Sequence, residues 1–478
     1  MKLFSGELFD WFMPRRTVLV IFALFLLVNC LYLASVPGLM GDEASEGENV
    51  YELLTSGNIT VVGERSYIGP LIDYVRVPFV GVFGYTAIAL RAVMFVFSAL
   101  TFLLALQVFK RLFGSGPGLM AAVIAGFSPI YLTYARLGWT ITLFPFFALL
   151  ILYLLLSDAK YKQLLAGLAA GLGLHNHIMF LPTLVAIAVI WGIYLMRRPK
   201  QLWLWWPGAV GFWAGFGTQF AVLRFFKDDQ GDPTLVAQGF GEKLADLPKL
   251  MPLILSGSSY IARYTGNELT PGITLIALWV LLVLVALALV LPKYRWQAWV
   301  WLAGLGAQMT ILLVLIDRYT LRYFMVWVLG VWVLAGVGLG KTVLLLSKKK
   351  EGVVAWASIG LAVILSAVFI WLVVIPFKIT GGSTADFSLG NRVDSASALA
   401  DGRGLAACLR GVGPVSSENV HIFNRLLYLG HQYADLDVKV EEDINEARWL
   451  VDYRAESDTA RGDLCPELKH FVIQQARR

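Results

Sequence analysis

The chain contains 478 residues, of which 58% are hydrophobic and 15% are charged, and its formal net charge is +6 at pH 7. Soluble proteins are typically about 45–50% apolar and about 25% charged, so this composition excludes an ordinary soluble domain and indicates a polytopic membrane protein. The basic residues lie in small clusters between apolar runs. Such a distribution follows membrane topology and argues against a nucleic-acid partner.

Apolar segments long enough to cross a bilayer, roughly 17–25 residues each, recur along the chain. The first is too long for a signal-peptide core and lacks a small-residue cleavage site, so we interpret it as a retained helix. We predict about eleven spans, at 17–36, 85–109, 117–133, 140–157, 162–177, 178–196, 201–222, 271–291, 296–316, 320–345 and 352–376.

Basic clusters between these segments predict their orientation. The clusters alternate with the spans so that all of them fall on one side, which is the cytoplasmic side by the positive-inside rule. They are Arg15–Arg16, Lys110–Arg111, Lys160 with Lys162, Arg197–Arg198 with Lys200, Lys293 with Arg295, and Lys348–Lys350. We therefore expect a multi-pass protein of the plasma membrane with a cytoplasmic N-terminus and an extracytoplasmic C-terminus.

The same topology divides the chain into two parts. Residues 1–379 form a membrane domain with outer-face loops at 37–84 and 223–270, in which Glu43–Leu54 and part of Ser66–Phe83 read as surface helices. Residues 380–478 are richer in polar residues and predict a small extracytoplasmic α/β domain, with strands in NVHIFN and ARWLVDYR and a helix at 397–410.

Two of the three cysteines fall in this outer domain. Cys408 and Cys465 can oxidise outside the cytoplasm, so we predict that they form a disulfide.

Four acidic residues follow the first span in the stretch MGDEASEGENVYELLTSGN: Asp42, Glu43, Glu46 and Glu48. A run of acids is usually a solvated face, and this is our interpretation of Glu46 and Glu48. Asp42 lies closest to the membrane boundary, where an ionisable residue is functional by default. It is the leading candidate for chemistry.

The motif GLHNHIMFLP places His175 and His177 near the outer surface. Two histidines at this spacing are hydrogen-bonded interface residues in one interpretation and bind an acceptor or phosphate group in another. A metal site is a third interpretation, and it requires an unwound turn because the spacing is poor for two ligands on one helix face.

Several arginines on the outer side run against the positive-inside bias and invite explanation. Arginine grips phosphate through two parallel hydrogen bonds, and ion pairing with Asp73, Asp317 or a lipid headgroup is the alternative. The outer-loop tyrosines Tyr67, Tyr260 and Tyr264 are candidates for stacking on a sugar. The arginines are Arg76, Arg91, Arg136, Arg263, Arg318 and Arg322.

Five stretches in order resemble a known family. The Asp42–Glu43 pair is followed by GPLIDYVRVPFVGVFG, ALRAVMFVFSAL, SPIYLTYARLGWT and RYFMVWVLGVWVLAG. Their order, spacing and topology resemble the GT-C glycosyltransferases of the dolichyl-phosphate-mannose–protein mannosyltransferase type, whose relatives include bacterial lipid A aminoarabinose transferases. The resemblance covers most of residues 15–340.

This resemblance implies an inverting transfer of a monosaccharide from a polyprenyl phosphate to a glycan, lipid or protein acceptor on the outer face, as in enzymes of the EC 2.4 class. Asp42 matches the first family acid and is expected to be the general base, with Glu43 the first alternative. Arg136, Arg322 and Tyr323 match positions expected near the carrier phosphate. The family acid after the arginine is Ile141 here, so we predict no cofactor and leave a divalent metal open.

The glycines between Gly336 and Gly340 lie inside an apolar run, so close helix packing explains them better than phosphate binding.

A transporter or lipid flippase is the alternative function. Such a protein predicts inverted repeats and short loops, whereas this chain has long outer segments and no twofold repeat.

Overall fold

A computed structural model describes most of the membrane domain and short parts of the C-terminal region. The described residues are 15–33, 41–57, 59–61, 63, 67–196, 206–225, 240–259, 269–315, 321–348, 350–375, 408–409, 415–416, 449–453 and 471–475.

The described part of the membrane domain is helical. Short 3-10 turns at Thr140–Leu143 and Ile178–Phe180 lead into α7 and α9, and a π-helix at Ile370–Val374 extends α15. The α-helices are α1 (Arg15–Cys30), α2 (Gly41–Ser56), α3 (Leu71–Phe83), α4 (Ala87–Phe113), α5 (Ser115–Gly126), α6 (Pro129–Tyr134), α7 (Phe144–Leu155), α8 (Lys162–Asn176), α9 (Leu181–Met196), α10 (Trp206–Phe225), α11 (Phe240–Leu255), α12 (Pro271–Val290), α13 (Arg295–Leu315), α14 (Leu321–Leu346) and α15 (Glu351–Phe369).

Six helical segments among the described residues are long and apolar enough to cross a membrane, so the chain is a multi-pass membrane protein. They are Ala87–Phe113, Ile178–Met196, Pro271–Val290, Arg295–Leu315, Arg322–Leu346 and Glu351–Val374. Each of the eleven apolar segments picked out in the sequence contains a helix, but the number of crossings stays a prediction.

The first helix is shorter than predicted. It ends at Cys30 rather than near Val36, because the chain turns at Leu31–Leu33 and Tyr32 adopts a positive φ of 53° that a helix cannot continue. The two predicted outer-face helices are present as α2 and α3.

The core of the membrane domain is aromatic and tightly packed. The rings of Phe25 in α1 and Phe102 in α4 stack with centroids 4.4 Å apart, and Phe127 meets Phe25 edge-on at 5.7 Å. Helix α14 passes close to two neighbours: a Cβ on Gly336 would lie 2.5 Å from Ala121, and one on Gly338 would lie 1.9 Å from the Leu284 carbonyl oxygen. The prediction that these glycines serve helix packing is confirmed.

The described strands of the C-terminal region form a three-stranded sheet in the order β1 (Val415–Ser416), β2 (Trp449–Tyr453), β3 (Phe471–Gln475). β1 runs parallel to β2, and β2 runs antiparallel to β3 with Val451 opposite Ile473. The strand predicted in ARWLVDYR is therefore present. The NVHIFN strand and nearly all of the predicted helix at 397–410 lie outside the described residues, and the α/β domain as a whole stays a prediction.

Cys408 is disulfide-bonded, and Cys30 is a free thiol. Cys465, the partner predicted for Cys408, lies outside the described residues, so their pairing stays a prediction.

Candidate functional site

Helix α2 carries the acidic cluster and presents its members in different environments. Asp42 and Glu43 lie in its first turn, where the helix dipole favours negative charge. The side chain of Asp42 is 22% exposed, whereas those of Glu43 and Glu46 are each 1% exposed. Of these three acids, Asp42 is therefore the one that a substrate can reach.

Glu43 is held on both carboxylate oxygens by a buried arginine of α4. Arg91 Nε donates to Oε1 at 2.7 Å and Nη2 donates to Oε2 at 2.6 Å. The backbone N–H of Gly138 also donates to Oε1 at 2.7 Å. Arg91 Nη1 donates in addition to the Leu33 carbonyl, at 3.0 Å, so this pair ties the start of α2 to α4 and to the end of the first helix.

Glu46 belongs to a second buried cluster, and its interpretation as a solvated surface charge was wrong. Arg76 Nη2 donates to Oε2 of Glu46 at 2.6 Å, and Arg76 Nη1 donates to Asp73 at 2.8 Å. The backbone N–H and the hydroxyl of Thr140 also donate to Glu46, the hydroxyl at 2.8 Å. Three donor groups, one of them a buried cation, make this side chain part of the interior. Of the alternatives for Arg76, ion pairing with Asp73 is the one that the structure shows.

Both clusters meet at the loop that follows α6. Gly138 donates its N–H to Glu43 and accepts from Arg76 Nη2 on its carbonyl oxygen at 2.8 Å. A Cβ on Gly138 would lie 2.7 Å from the Glu43 carboxylate, so only glycine fits this close approach. The two acids of α2 therefore fix the backbone on both sides of Trp139.

The second cluster predicts a pH dependence of stability. Burial raises the pKa of Asp73 to about 7 from its ordinary 3.8, while Arg76 lowers it and Glu46 raises it. A raised carboxyl pKa contributes stability that is complete below the ordinary pKa of 3.8 and is lost as the pH rises from there to about 7, because between these values the folded protein keeps a proton that the unfolded chain has released. We expect the thermal unfolding midpoint to fall over that range.

Asp73→Asn is the matched test, since asparagine keeps the shape of the side chain but does not titrate. Thermal unfolding from about pH 4 to about pH 7 should show a smaller slope in the variant than in the parent protein. If the unfolding midpoint changed equally steeply with pH in both proteins, Asp73 would not be the source of the pH dependence.

Asp42 reaches across the site to α14. Arg322 Nη1 donates to Asp42 Oδ2 at 2.7 Å, and the Arg322 side chain is 24% exposed. The guanidinium carbon lies 4.8 Å from the centroid of the Trp139 ring. Asp42 and Arg322, the two residues that the resemblance singled out most clearly, are thus direct partners at a partly open position.

An aromatic cage around His177 adjoins this pair. The imidazole centroid lies 5.4 Å from that of Tyr67, 5.7 Å from that of Phe144 and 6.0 Å from that of Tyr323, the residue after Arg322. The Met179 N–H donates to His177 Nδ1 at 3.1 Å, so a neutral ring carries its proton on Nε2. His177 is only 2% exposed, so in this conformation its ring is a packed member of the cage.

His175 contributes to the site through its backbone, whereas His177 contributes its ring. Its carbonyl oxygen accepts from the Gly69 N–H at 2.8 Å, and three residues further along the chain the Ile178 N–H donates to the Tyr67 carbonyl at 3.2 Å. These bonds attach the outer loop before α3 to the break between α8 and α9. The backbone of His175 thereby positions Tyr67 against the cage.

Arg136 is buried at 0% exposure. Its Nη2 donates to the Leu31 carbonyl, and its guanidinium carbon lies 5.6 Å from the Phe369 ring centroid. The sequence placed Arg136 beside Arg322 at a phosphate. In this conformation the Arg136 guanidinium is fully buried, whereas that of Arg322 is partly exposed, so the contact of Arg136 with a carrier phosphate stays a prediction.

Other candidates fall outside the site or outside the described residues. Arg263, Arg318, Tyr260 and Tyr264 lie outside the described residues. Among the described residues, no group of three or more His, Cys, Asp or Glu side chains is close enough together to hold a metal ion. Sequence reasoning missed Trp139 and Gly138, although both lie in the family-like stretch SPIYLTYARLGWT.

The chain shares its fold with two solved proteins, ArnT from Cupriavidus metallidurans and an oligosaccharyltransferase from Archaeoglobus fulgidus. The apo structure of ArnT from Cupriavidus metallidurans matches with a TM-score of 0.60 at 13% identity, over 95% of this chain and 97% of that one. The same protein bound to undecaprenyl phosphate gives a TM-score of 0.57 at 13% identity, over 92% and 94% of the two chains.

A second protein shares the fold over part of its length. The apo oligosaccharyltransferase of Archaeoglobus fulgidus matches with a TM-score of 0.51 at 12% identity, over 90% of this chain and 65% of that one. No protein-family model and no curated protein sequence matches the chain. At these identities, the likeness establishes the fold.

Proposed function

We propose that this protein is a membrane glycosyltransferase that moves a monosaccharide from a polyprenyl-phosphate carrier to an acceptor on the outer face of the plasma membrane, with inversion. The single observation that carries the proposal is the Asp42–Arg322 pair, 2.7 Å apart and partly exposed beside two fully buried acid clusters. The GT-C fold, shared with an ArnT that binds undecaprenyl phosphate, supports the choice of carrier.

Asp42 and Arg322 suit the two tasks of the reaction, which are removal of the acceptor proton and stabilisation of the negative charge on the leaving phosphate. The acceptor hydroxyl must lose a proton as its oxygen attacks the anomeric carbon, and Asp42 is the accessible acid that can take it. The bond from the anomeric carbon to the phosphate oxygen breaks on the opposite face, and its electron pair leaves with the phosphate. Arg322 supplies the cation that stabilises this developing charge.

Glu43 is less suited to act as the base. Both of its oxygens accept hydrogen bonds from Arg91, and Gly138 adds a third. A carboxylate fixed in this way holds the loop in place, so we propose a positioning role for Glu43. The acceptor, which is a glycan, lipid or protein, approaches from the outer face near Tyr67 and the His177 cage.

Arg322 should bind the carrier phosphate. We expect Arg322→Ala to weaken use of the lipid donor strongly, and Arg322→Lys to restore it only in part, because an ammonium lacks the two-pronged geometry of a guanidinium. Steady-state kinetics with varied donor would measure this. Unchanged kinetics in both variants would return Arg322 to a purely structural role.

The direct test of the proposed function uses the purified protein in nanodiscs with labelled undecaprenyl-phosphate monosaccharides and membrane extract as the source of acceptor. Transfer of label to an acceptor supports the proposal. Binding of the lipid with movement between leaflets and no transfer would instead indicate a flippase. Absence of both would overturn the proposed carrier.

A further inference from the structure

Trp139 occupies the centre of a closed set of contacts that begins and ends on α2. Glu43 and Glu46 of α2 bind the backbone groups of Gly138 and Thr140, which flank it. The Trp139 side chain lies against Arg322, and Arg322 returns to Asp42 on α2. Helix α2 therefore carries Asp42 itself, and it also fixes the loop whose Trp139 ring lies against Arg322.

The loop around Trp139 has little freedom to move. Besides the bonds to the two acids, the Thr140 carbonyl accepts from Asn176 Nδ2 at 3.0 Å, and the Gly138 carbonyl accepts from Arg76. All of these groups are buried, and Trp139 itself is 3% exposed. A buried ring on a fixed backbone is a rigid surface for the guanidinium.

The contact between Trp139 and Arg322 has the geometry of a cation–π interaction. The distance from guanidinium carbon to ring centroid is 4.8 Å, inside the roughly 6 Å within which the ring quadrupole attracts a cation, and tryptophan is the strongest of the aromatic partners. Arg322 contacts both the Trp139 ring and Asp42, its guanidinium carbon also lies 5.2 Å from the centroid of the Tyr323 ring, and its side chain is 24% exposed.

We infer that Trp139 is a positioning residue for Arg322: it holds the guanidinium at the mouth of the site in the orientation that receives the carrier phosphate. The inference rests on the proposed function, since it assigns Arg322 to that phosphate. It adds a residue that touches neither substrate nor reacting atoms.

The experiment measures binding of undecaprenyl phosphate to the purified full-length chain. Trp139→Leu should weaken binding roughly 2- to 30-fold, the range that a cation–π contact supports at partly and fully desolvated sites, and Trp139→Phe should lose less. In an Arg322→Gln background, Trp139→Leu should have no further effect. The same loss with and without Arg322, or no loss in either, would overturn the inference.

Trp301 provides the matched control. It is also a buried tryptophan, packed edge-on against Phe109 and Phe113, and its indole N–H donates to the Gly330 carbonyl at 3.0 Å. Trp301→Leu should lower the thermal unfolding midpoint and leave lipid binding unchanged. Equal weakening of binding in this variant would show that loss of any core tryptophan suffices, and so would overturn the positioning role.

Two further arms keep the test decisive. If Trp139→Leu does not fold, tryptophan with increasing fluorination installed at position 139 keeps the shape and weakens the ring quadrupole; stepwise loss of lipid binding supports the inference, and constant binding overturns it. Failure of the parent protein to bind undecaprenyl phosphate removes the proposed carrier itself. In that case the energetic coupling of Trp139 and Arg322 in thermal unfolding still reports whether the contact exists.

Discussion

Asp42→Asn should fold, insert into the membrane and bind the lipid donor, yet lose at least the roughly 10²–10⁴-fold in turnover that removal of a general base costs. Asparagine keeps the size of the side chain and can still accept the hydrogen bond from Arg322 Nη1. It cannot take the proton of the acceptor hydroxyl. Turnover should be measured at saturating donor and acceptor, so that any change in binding is removed.

Glu48→Gln is the matched control for this substitution because it lies on the same helix and removes the same kind of charge. Glu48 Oε1 accepts from the Tyr85 hydroxyl at 2.9 Å, and a glutamine oxygen can accept that bond too. Glu48→Gln should therefore leave turnover nearly unchanged. Near-normal turnover of Asp42→Asn would place the base elsewhere, with Glu43 the first residue to test.

The largest effect on stability is expected at Arg76. Arg76→Met leaves Glu46 and Asp73 as buried carboxylates without their cation, and it removes the donor to the Gly138 carbonyl. Loss of one partner from a buried ion pair typically costs about 3–5 kcal/mol. We therefore expect a large drop in the free energy of unfolding, measured as a lower unfolding midpoint in the same detergent.

The control for Arg76 is an ion pair on the surface. Lys249 and Asp246 lie 3.9 Å apart with side chains 81% and 42% exposed, and exposed pairs of this kind contribute about 0–1 kcal/mol. Lys249→Met should therefore leave the midpoint nearly unchanged. Equal and small effects of the two substitutions would show that the buried cluster does not stabilise the fold.

The sequence pointed to Asp42 more clearly than to Arg76. Asp42 was recognisable because an acid at a membrane boundary is costly and because it opens the Asp42–Glu43 motif. Arg76 was recognisable only as one of several outer arginines with two explanations. Its partner Glu46 lies 30 residues away along the chain, and no spacing rule links positions on α2 to positions on α3.

Local patterns also failed to distinguish Glu46 from Glu48 on α2. In the sequence, Glu46 and Glu48 share the character of a solvated face. In the fold, Glu46 meets Arg76 and Thr140, while Glu48 meets Tyr85 at a partly buried position. Which side of a short helix faces the protein depends on the elements packed against it. The sequence contains those elements but not their arrangement.

By itself, the sequence determined that this is a multi-pass membrane protein with apolar segments in their observed order, because the bilayer imposes length and hydrophobicity on every span. It also singled out Asp42 and Arg322. Only the tertiary structure decided that these two residues meet across 280 positions, that Gly138 bonds both Glu43, 95 positions away, and Arg76, 62 positions away, and that Arg136 is buried. Such pairings depend on how the helices pack in three dimensions. Burying a charge costs free energy unless a partner group lies next to it, and only the fold places that partner there.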